Sequence, residues 1–138
     1  MIQTFVNVIV LGLMAHMIGD YVIQNDWMAL EKSKHWWPVI VHGVTYTLPF
    51  IPLVYWFDVD IKWLALLIIG GTHLIIDHYK LPRHVVWARN QLAPAAYRPG
   101  HTATGFSETR PDWIAVWLLI IVDNLIHVGI NTLALVYL

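Results

Sequence analysis

No cysteine occurs among the 138 residues. Disulfides and zinc–thiolate sites are therefore excluded, and any metal must be held by His, carboxylate, amide or water. Charge is scarce too. Asp, Glu, Lys and Arg make up 12%, against about a quarter in a soluble domain. The net charge of −1 leaves no basic excess that would suit nucleic acid as a main partner. Nucleotide loops are missing as well: "GHTATG" (100–105) lacks the Gly-Lys-Ser/Thr of a phosphate loop, and no nucleophilic serine motif is present. What the chain has is apolar residues, at 58%, with a mean hydropathy of +0.59. That balance belongs to a membrane protein, and the length suits one domain.

A spanning helix needs about 20 mostly apolar residues. Four stretches qualify: 2–24, 38–57, 61–79 and 113–138. The first is read as a span and not a signal peptide, because no basic residue precedes Lys32 and no A-x-A site follows the apolar run. Pro49 and Pro52 predict a kink in the second. Trp27, Trp36, Trp37 and Trp113 fall near one membrane surface, and Trp56 and Trp63 near the other, as in an aromatic belt. Seven of the eight basic residues lie in segments 25–37 and 80–112; only Lys62 lies opposite. The positive-inside rule places those two segments in the cytoplasm and both ends of the chain outside. Within 80–112, residues 83–92 read as a short helix on the membrane surface, and the rest, rich in Pro, Gly, Ser and Thr, reads as loop. The expected fold class is all-α: an integral membrane four-helix bundle with a long cytoplasmic loop between its third and fourth helices.

Polar residues interrupt each span at one interval. His16, Asp20 and Gln24 are four apart, as are His73 and Asp77, then Asp123 and His127 followed by Asn131, then His42 and Tyr46. Four residues of α-helix leave successive side chains only about 40° apart, so each helix carries a polar stripe. Counted at about 1.5 Å per residue, most of these positions fall in the cytoplasmic half of the bilayer. If the stripes face one another they make one cluster. A lone carboxylate in the bilayer costs about 2.5–3.5 kcal/mol on insertion scales, so Asp20, Asp77 and Asp123 call for compensation. A divalent cation compensates directly and suits Asp oxygen and His nitrogen ligands. A helix-joining salt bridge and a proton or ion path use the same residue types. Asn7, Tyr46 and Asn131 read as interhelical hydrogen-bonding groups, and Gly12, Gly19, Gly43, Gly70 and Gly71 as close-packing positions. His35, His84 and His101 read as solvated loop residues, and His78 as interfacial.

The segments "AHMIGDYVIQNDWMALEKSK", "VHGVTYT", "THLIIDHYK" and "DNLIH" together resemble a bacterial and phage family of small polytopic membrane proteins of unknown function, and the long segment from "RHVVWARN" to "RPDWIAVWLLIIVDN" resembles its phage-associated branch. The resemblance covers nearly the whole chain. It carries over His16, Asp20, Gln24, Asp26, Trp27, Lys32, His42, His73, Asp77, Asp123 and His127. Asn124 departs from it, standing where the family usually has Gln. The resemblance implies a shared polar site in a bacterial inner (cytoplasmic) membrane and supplies no activity.

The preferred expectation is a metal-dependent hydrolase. Its Zn, Mn or Fe ion would be held by residues drawn from His16, Asp20, His73, Asp77, Asp123 and His127, with His42 or Asp20 for proton transfer. Its substrate would be a lipid phosphate or lipid-linked molecule at headgroup level. The first alternative is an oligomeric channel, transporter or phage-encoded membrane effector using the same residues as an ion or proton path. The second is a structural membrane subunit. Besides the lipid bilayer, further copies of the chain are natural partners, because four short helices have little core.

Overall fold

The computed structural model describes residues 2–100 and 103–138, with side chains from Phe5 onward. His101 and Thr102 of the long connection lie outside the described residues, as does the expectation for His101. The described residues are mostly helical, with no strand among them. The helices are α1 (Ile2–Met17), α2 (Asp26–Glu31), α3 (Trp36–Thr47), α4 (Ile51–Trp56), α5 (Lys62–Tyr79), α6 (Leu81–Asn90) and α7 (Asp112–Tyr137).

Among the described residues, three stretches are long and apolar enough to cross a membrane: Phe5–Ile23, Trp36–Trp56 and Asp112–Tyr137. A fourth is reached when α5 is counted together with α6. The polar residues of α5, namely His73, Asp77 and His78, dilute it below the others. The surface is inverted relative to a water-soluble protein. Val22, Val44, Leu67 and Leu125 are 61–75% exposed, whereas His16, His42, His73 and His127 are at most 1% exposed. Apolar side chains outside and histidines inside are what a lipid environment selects.

Two of these stretches are not uniform α-helix. The kink expected from the prolines is a 3₁₀ turn, Leu48–Phe50, between α3 and α4. Pro49 can neither donate to the preceding turn nor avoid its carbonyl. The first span ends in a π-helical turn, Ile18–Ile23, which the sequence does not announce. There Gln24 N–H donates to Gly19 O at 3.2 Å. Asn25 then caps α2, accepting from Met28 N–H at 2.9 Å, the usual role of an N-cap amide.

The chain divides into two compact units. The first comprises the residues up to Tyr79 together with His127–Leu138. Its core joins α1 (Val8, Ala15), α3 and the 3₁₀ turn (Tyr46, Phe50), Val54, Val59, α5 (Ala65, Ile69) and the end of α7 (Ala134, Leu135). Two glycines let α3 and α5 approach: a Cβ on Gly70 would collide with Thr47 Oγ1 and stand 3.4 Å from Gly43 O. Gly19 plays the same part between the π turn and α3, since a Cβ there would lie 2.5 Å from the Tyr46 ring. Gly71, expected to do likewise, has nothing within 4 Å of an added Cβ. Ile61 N–H donates to Leu138 O at 2.7 Å, tying the start of α5 to the end of α7.

The second unit is Lys80–Ile126. Lys80 has φ +50° and ψ +47°, the left-handed conformation that ends one helix before the next begins. The short helix expected over 83–92 is present as α6, so His84 is exposed but helical, not a loop residue. The rest of the connection is more than linker. Val86, Phe106 and Ala115 are buried together against Leu118, Leu119 and Val122. Arg89 and Arg110 lie 5.4 and 4.9 Å from the Phe106 ring. Gly105, at φ +76°, packs so tightly against the Arg83 carbonyl and the Trp87 backbone that no side chain fits.

Candidate metal centre

The π turn sets Asp20 at the inner side of the first unit. π-turns add a residue to the helix and recur at functional sites. Here the turn keeps His16 and Asp20 together, with His16 Nδ1 3.6 Å from Asp20 Oδ2. The close packing at Gly19 brings Asp20 against α3, so that Asp20 Oδ1 is 3.2 Å from His42 Nε2. On α5 the i, i+4 pair faces the same point: His73 Nε2 is 3.1 Å from Asp77 Oδ2 and 3.3 Å from Asp20 Oδ1. His42 Nε2 is 3.2 Å from Asp77 Oδ2 and 2.8 Å from His73 Nε2.

These four residues present one donor atom each, all mutually within 4.8 Å, and all four are buried. Tetrahedral coordination at metal–ligand distances of about 2.0–2.1 Å places neighbouring ligand atoms roughly 3.3–3.4 Å apart. Four of the separations above, at 3.1–3.3 Å, match that edge within a few tenths of an ångström. Asp20 Oδ1 and His42 Nδ1 are buried and make no hydrogen bond. For Asp20 Oδ1 in particular, two imidazoles stand at contact distance without donating to it. Atoms arranged so converge on a common centre more than on one another. The residues present therefore fit a divalent cation.

A second row holds the first in place. The Tyr46 ring stacks on His73 with centroids 3.5 Å apart and planes 8° from parallel. Its hydroxyl accepts from Asn131 Nδ2 at 2.6 Å and lies 2.9 Å from His16 Nδ1. Tyr46 thus joins Asn131 on α7 to His16 on α1 through one hydroxyl. Behind His73, His127 Nδ1 is 3.3 Å from His73 Nδ1, and His127 Nε2 is 3.6 Å from Asp77 Oδ1. Outer-row contacts of this kind fix the tautomer and orientation of ligating imidazoles.

The sequence-derived candidates therefore fall into distinct places. Asp20, His73 and Asp77, expected as ligands, form the four-atom group with His42, which was expected for proton transfer. His16 and His127 stand directly behind that group. Asp123 is half-buried, one turn before His127 on α7, and belongs to the second unit. Tyr46 and Asn131, expected as interhelical hydrogen-bonding groups, are that and also touch the site.

One residue of the family motif that was expected neither as a ligand nor for proton transfer also reaches the site. Lys32 Nζ donates to Asp77 Oδ2 at 2.6 Å and to Gln24 Oε1 at 2.7 Å. Gln24 in turn donates through Nε2 to Asp20 O at 3.2 Å. The Lys32 carbonyl accepts from His78 Nδ1 at 2.9 Å, and His78 stacks on Trp36 with centroids 4.0 Å apart. The only sequence signal for Lys32 is its place in the motif carried by the family resemblance.

No curated protein and no solved structure matches the chain. One family does, over residues 8–137: the chain belongs to the family described as "Protein of unknown function (DUF3307)".

Proposed function

We propose that this protein is a four-span inner-membrane bundle built around a divalent-metal centre held by Asp20, His42, His73 and Asp77, and that it is a hydrolase of lipid-phosphate or lipid-linked substrates. Segments 25–37 and 80–112 face the cytoplasm in this reading, both ends of the chain face outward, and copies of the chain associate in the bilayer. The observation that carries the proposal is the convergence of two carboxylate oxygens and two imidazole nitrogens in a buried site, with carboxylate–imidazole separations of 3.1–3.3 Å and the two imidazole nitrogens 2.8 Å apart.

A zinc, manganese or iron ion bound there would supply a water of lowered pKa and a positive charge for a substrate oxygen. The chain's own groups do the rest. Asp20 contributes Oδ1 to the ligand set and keeps Oδ2 3.6 Å from His16 Nδ1, so that a proton taken up by the His16 imidazole faces a carboxylate. Tyr46 and His127 keep the His73 ring from turning. Lys32, whose side chain is 20% exposed, marks the side from which the centre is reached.

One observation favours a second reading. The ring contacts His127–His73 at 3.3 Å and His73–His42 at 2.8 Å, followed by Asp77 and Lys32, form an unbroken chain of proton-bearing groups. Intramembrane chains of this composition serve as proton relays.

The test is to reconstitute the purified protein into vesicles of anionic phospholipid with added zinc or manganese and to measure release of phosphate or headgroup. Release by the wild type, lost in Asp20→Asn, is expected. A metal-loaded wild type that releases nothing contradicts the hydrolase, and proton flux in the same vesicles would then favour the relay.

A further inference from the structure

We infer that Lys32 is a tethered counter-cation of the Asp20–His42–His73–Asp77 centre, and that a divalent cation enters the centre in exchange for the Lys32 ammonium; this rests on the metal-binding part of the function proposed above. The atom that decides it is Asp77 Oδ2. That oxygen belongs to the four-atom group, 3.2 Å from His42 Nε2 and 3.1 Å from His73 Nε2. It is also the oxygen that Lys32 Nζ holds at 2.6 Å.

Charge then sets the direction. With neutral imidazoles, the two carboxylates and the ammonium leave one negative charge in a site sheltered from water. A divalent ion added beside the ammonium turns this to one positive charge, with two cations sharing one oxygen. If the ammonium leaves, the two carboxylates and the ion sum to zero. Repulsion between cations a few ångströms apart is poorly screened away from water, so the neutral arrangement is favoured.

The local structure lets the side chain leave without unfolding its segment. The Lys32 backbone is fixed at both polar groups: its N–H donates to Met28 O at 2.9 Å and its carbonyl accepts from His78 at 2.9 Å. The side chain is a four-carbon flexible stem with its head partly exposed. Its second partner, Gln24, is itself half-buried at the end of the π turn. Rotation about the stem carries the ammonium from Asp77 toward water, while the α2–α3 turn stays in place. A lysine in this position keeps the carboxylates compensated until an ion arrives, so the fold does not depend on metal to assemble.

The experiment uses the full chain in detergent and zinc as the probe. Zinc affinity is measured against a competing chelator for the wild type and Lys32→Met, which keeps the stem and removes the charge. In parallel, acylation of Lys32 by an amine-reactive reagent is followed by mass spectrometry in the wild type with and without zinc, with Lys34 as the internal reference. Zinc binding about tenfold tighter or more in Lys32→Met, and Lys32 acylation rising several-fold with zinc while Lys34 does not change, are expected. Equal or weaker zinc binding in a folded Lys32→Met, or Lys32 acylation indifferent to zinc that demonstrably binds, overturns the exchange and leaves the metal centre standing. Zinc binding to neither protein, with the fold confirmed, removes both. The acylation arm needs no variant, so it decides the matter if Lys32→Met does not fold.

Discussion

The Nε2 atoms of His42 and His73 stand 2.8 Å apart in rings that are fully buried. Two imidazole nitrogens at that distance need a proton or a cation between them, because facing lone pairs repel. His73 is also clamped by Tyr46 on one face and His127 at its other nitrogen. His73→Ala therefore removes a ligand, a stacked ring and a hydrogen-bond partner at once. A loss of about 2–4 kcal/mol in stability is expected, read as thermal unfolding in detergent, together with loss of bound metal.

Lys32 and Asp77 form an ion pair in which the carboxylate side chain is 5% exposed and the lysine 20%. Removing one partner of such a pair strands the other. Asp77→Ala is expected to destabilise by about 3–5 kcal/mol. The double variant Asp77→Asn with Lys32→Met recovers much of that loss, since neither charge is left alone. A double variant no more stable than Asp77→Ala would show that the pair is not what the site depends on.

Neighbouring glycines give a steric contrast. Gly70 has no room for a methyl group, because Thr47 is stiff at χ1 and its hydroxyl is committed to Gly43 O at 2.7 Å. Gly71 faces open space. Gly70→Ala should cost about 1–3 kcal/mol, and Gly71→Ala should be neutral or stabilising by up to about 1 kcal/mol through helix propensity. Thermal unfolding of the two variants side by side checks this.

The absence of cysteine makes topology directly measurable. Single replacements Lys34→Cys and Arg98→Cys are expected to react with a membrane-impermeant maleimide only from the cytoplasmic side, and Asp58→Cys only from the opposite side. Lys34 and Asp58 both reacting from one side would overturn the four-span arrangement.

Much of this architecture was legible in the sequence. Runs of apolar residues announced α1, α3 with α4, and α7, and Pro49 announced the break between α3 and α4. The i, i+4 spacing pointed His73 and Asp77 at one centre, and the bilayer cost of Asp20 and Asp77 called for a compensating charge. Three features were not legible. The π turn at Ile18–Ile23 leaves no compositional mark, and the close approach of Gly19 to Tyr46 that accompanies it is a contact between residues far apart in sequence. The core of Val86, Phe106 and Ala115 is three small contacts scattered through a segment whose Pro, Gly and Thr read as linker. Lys32 lies outside every apolar run and 45 residues from Asp77, so spacing could not join them. Periodicity gives the face a residue points from but not its distance to the centre. That is why His42 reads from sequence like His16 and His127, although it alone of the three lies in the four-atom group.

The four buried donor atoms of Asp20, His42, His73 and Asp77 are proposed to hold one divalent cation. The decisive measurement is metal content by mass spectrometry on folded detergent-purified wild type beside Asp77→Asn. About one equivalent of zinc, manganese or iron in the wild type, lost in the variant, is expected. A folded wild type that takes up no metal from excess zinc, manganese and iron would contradict it.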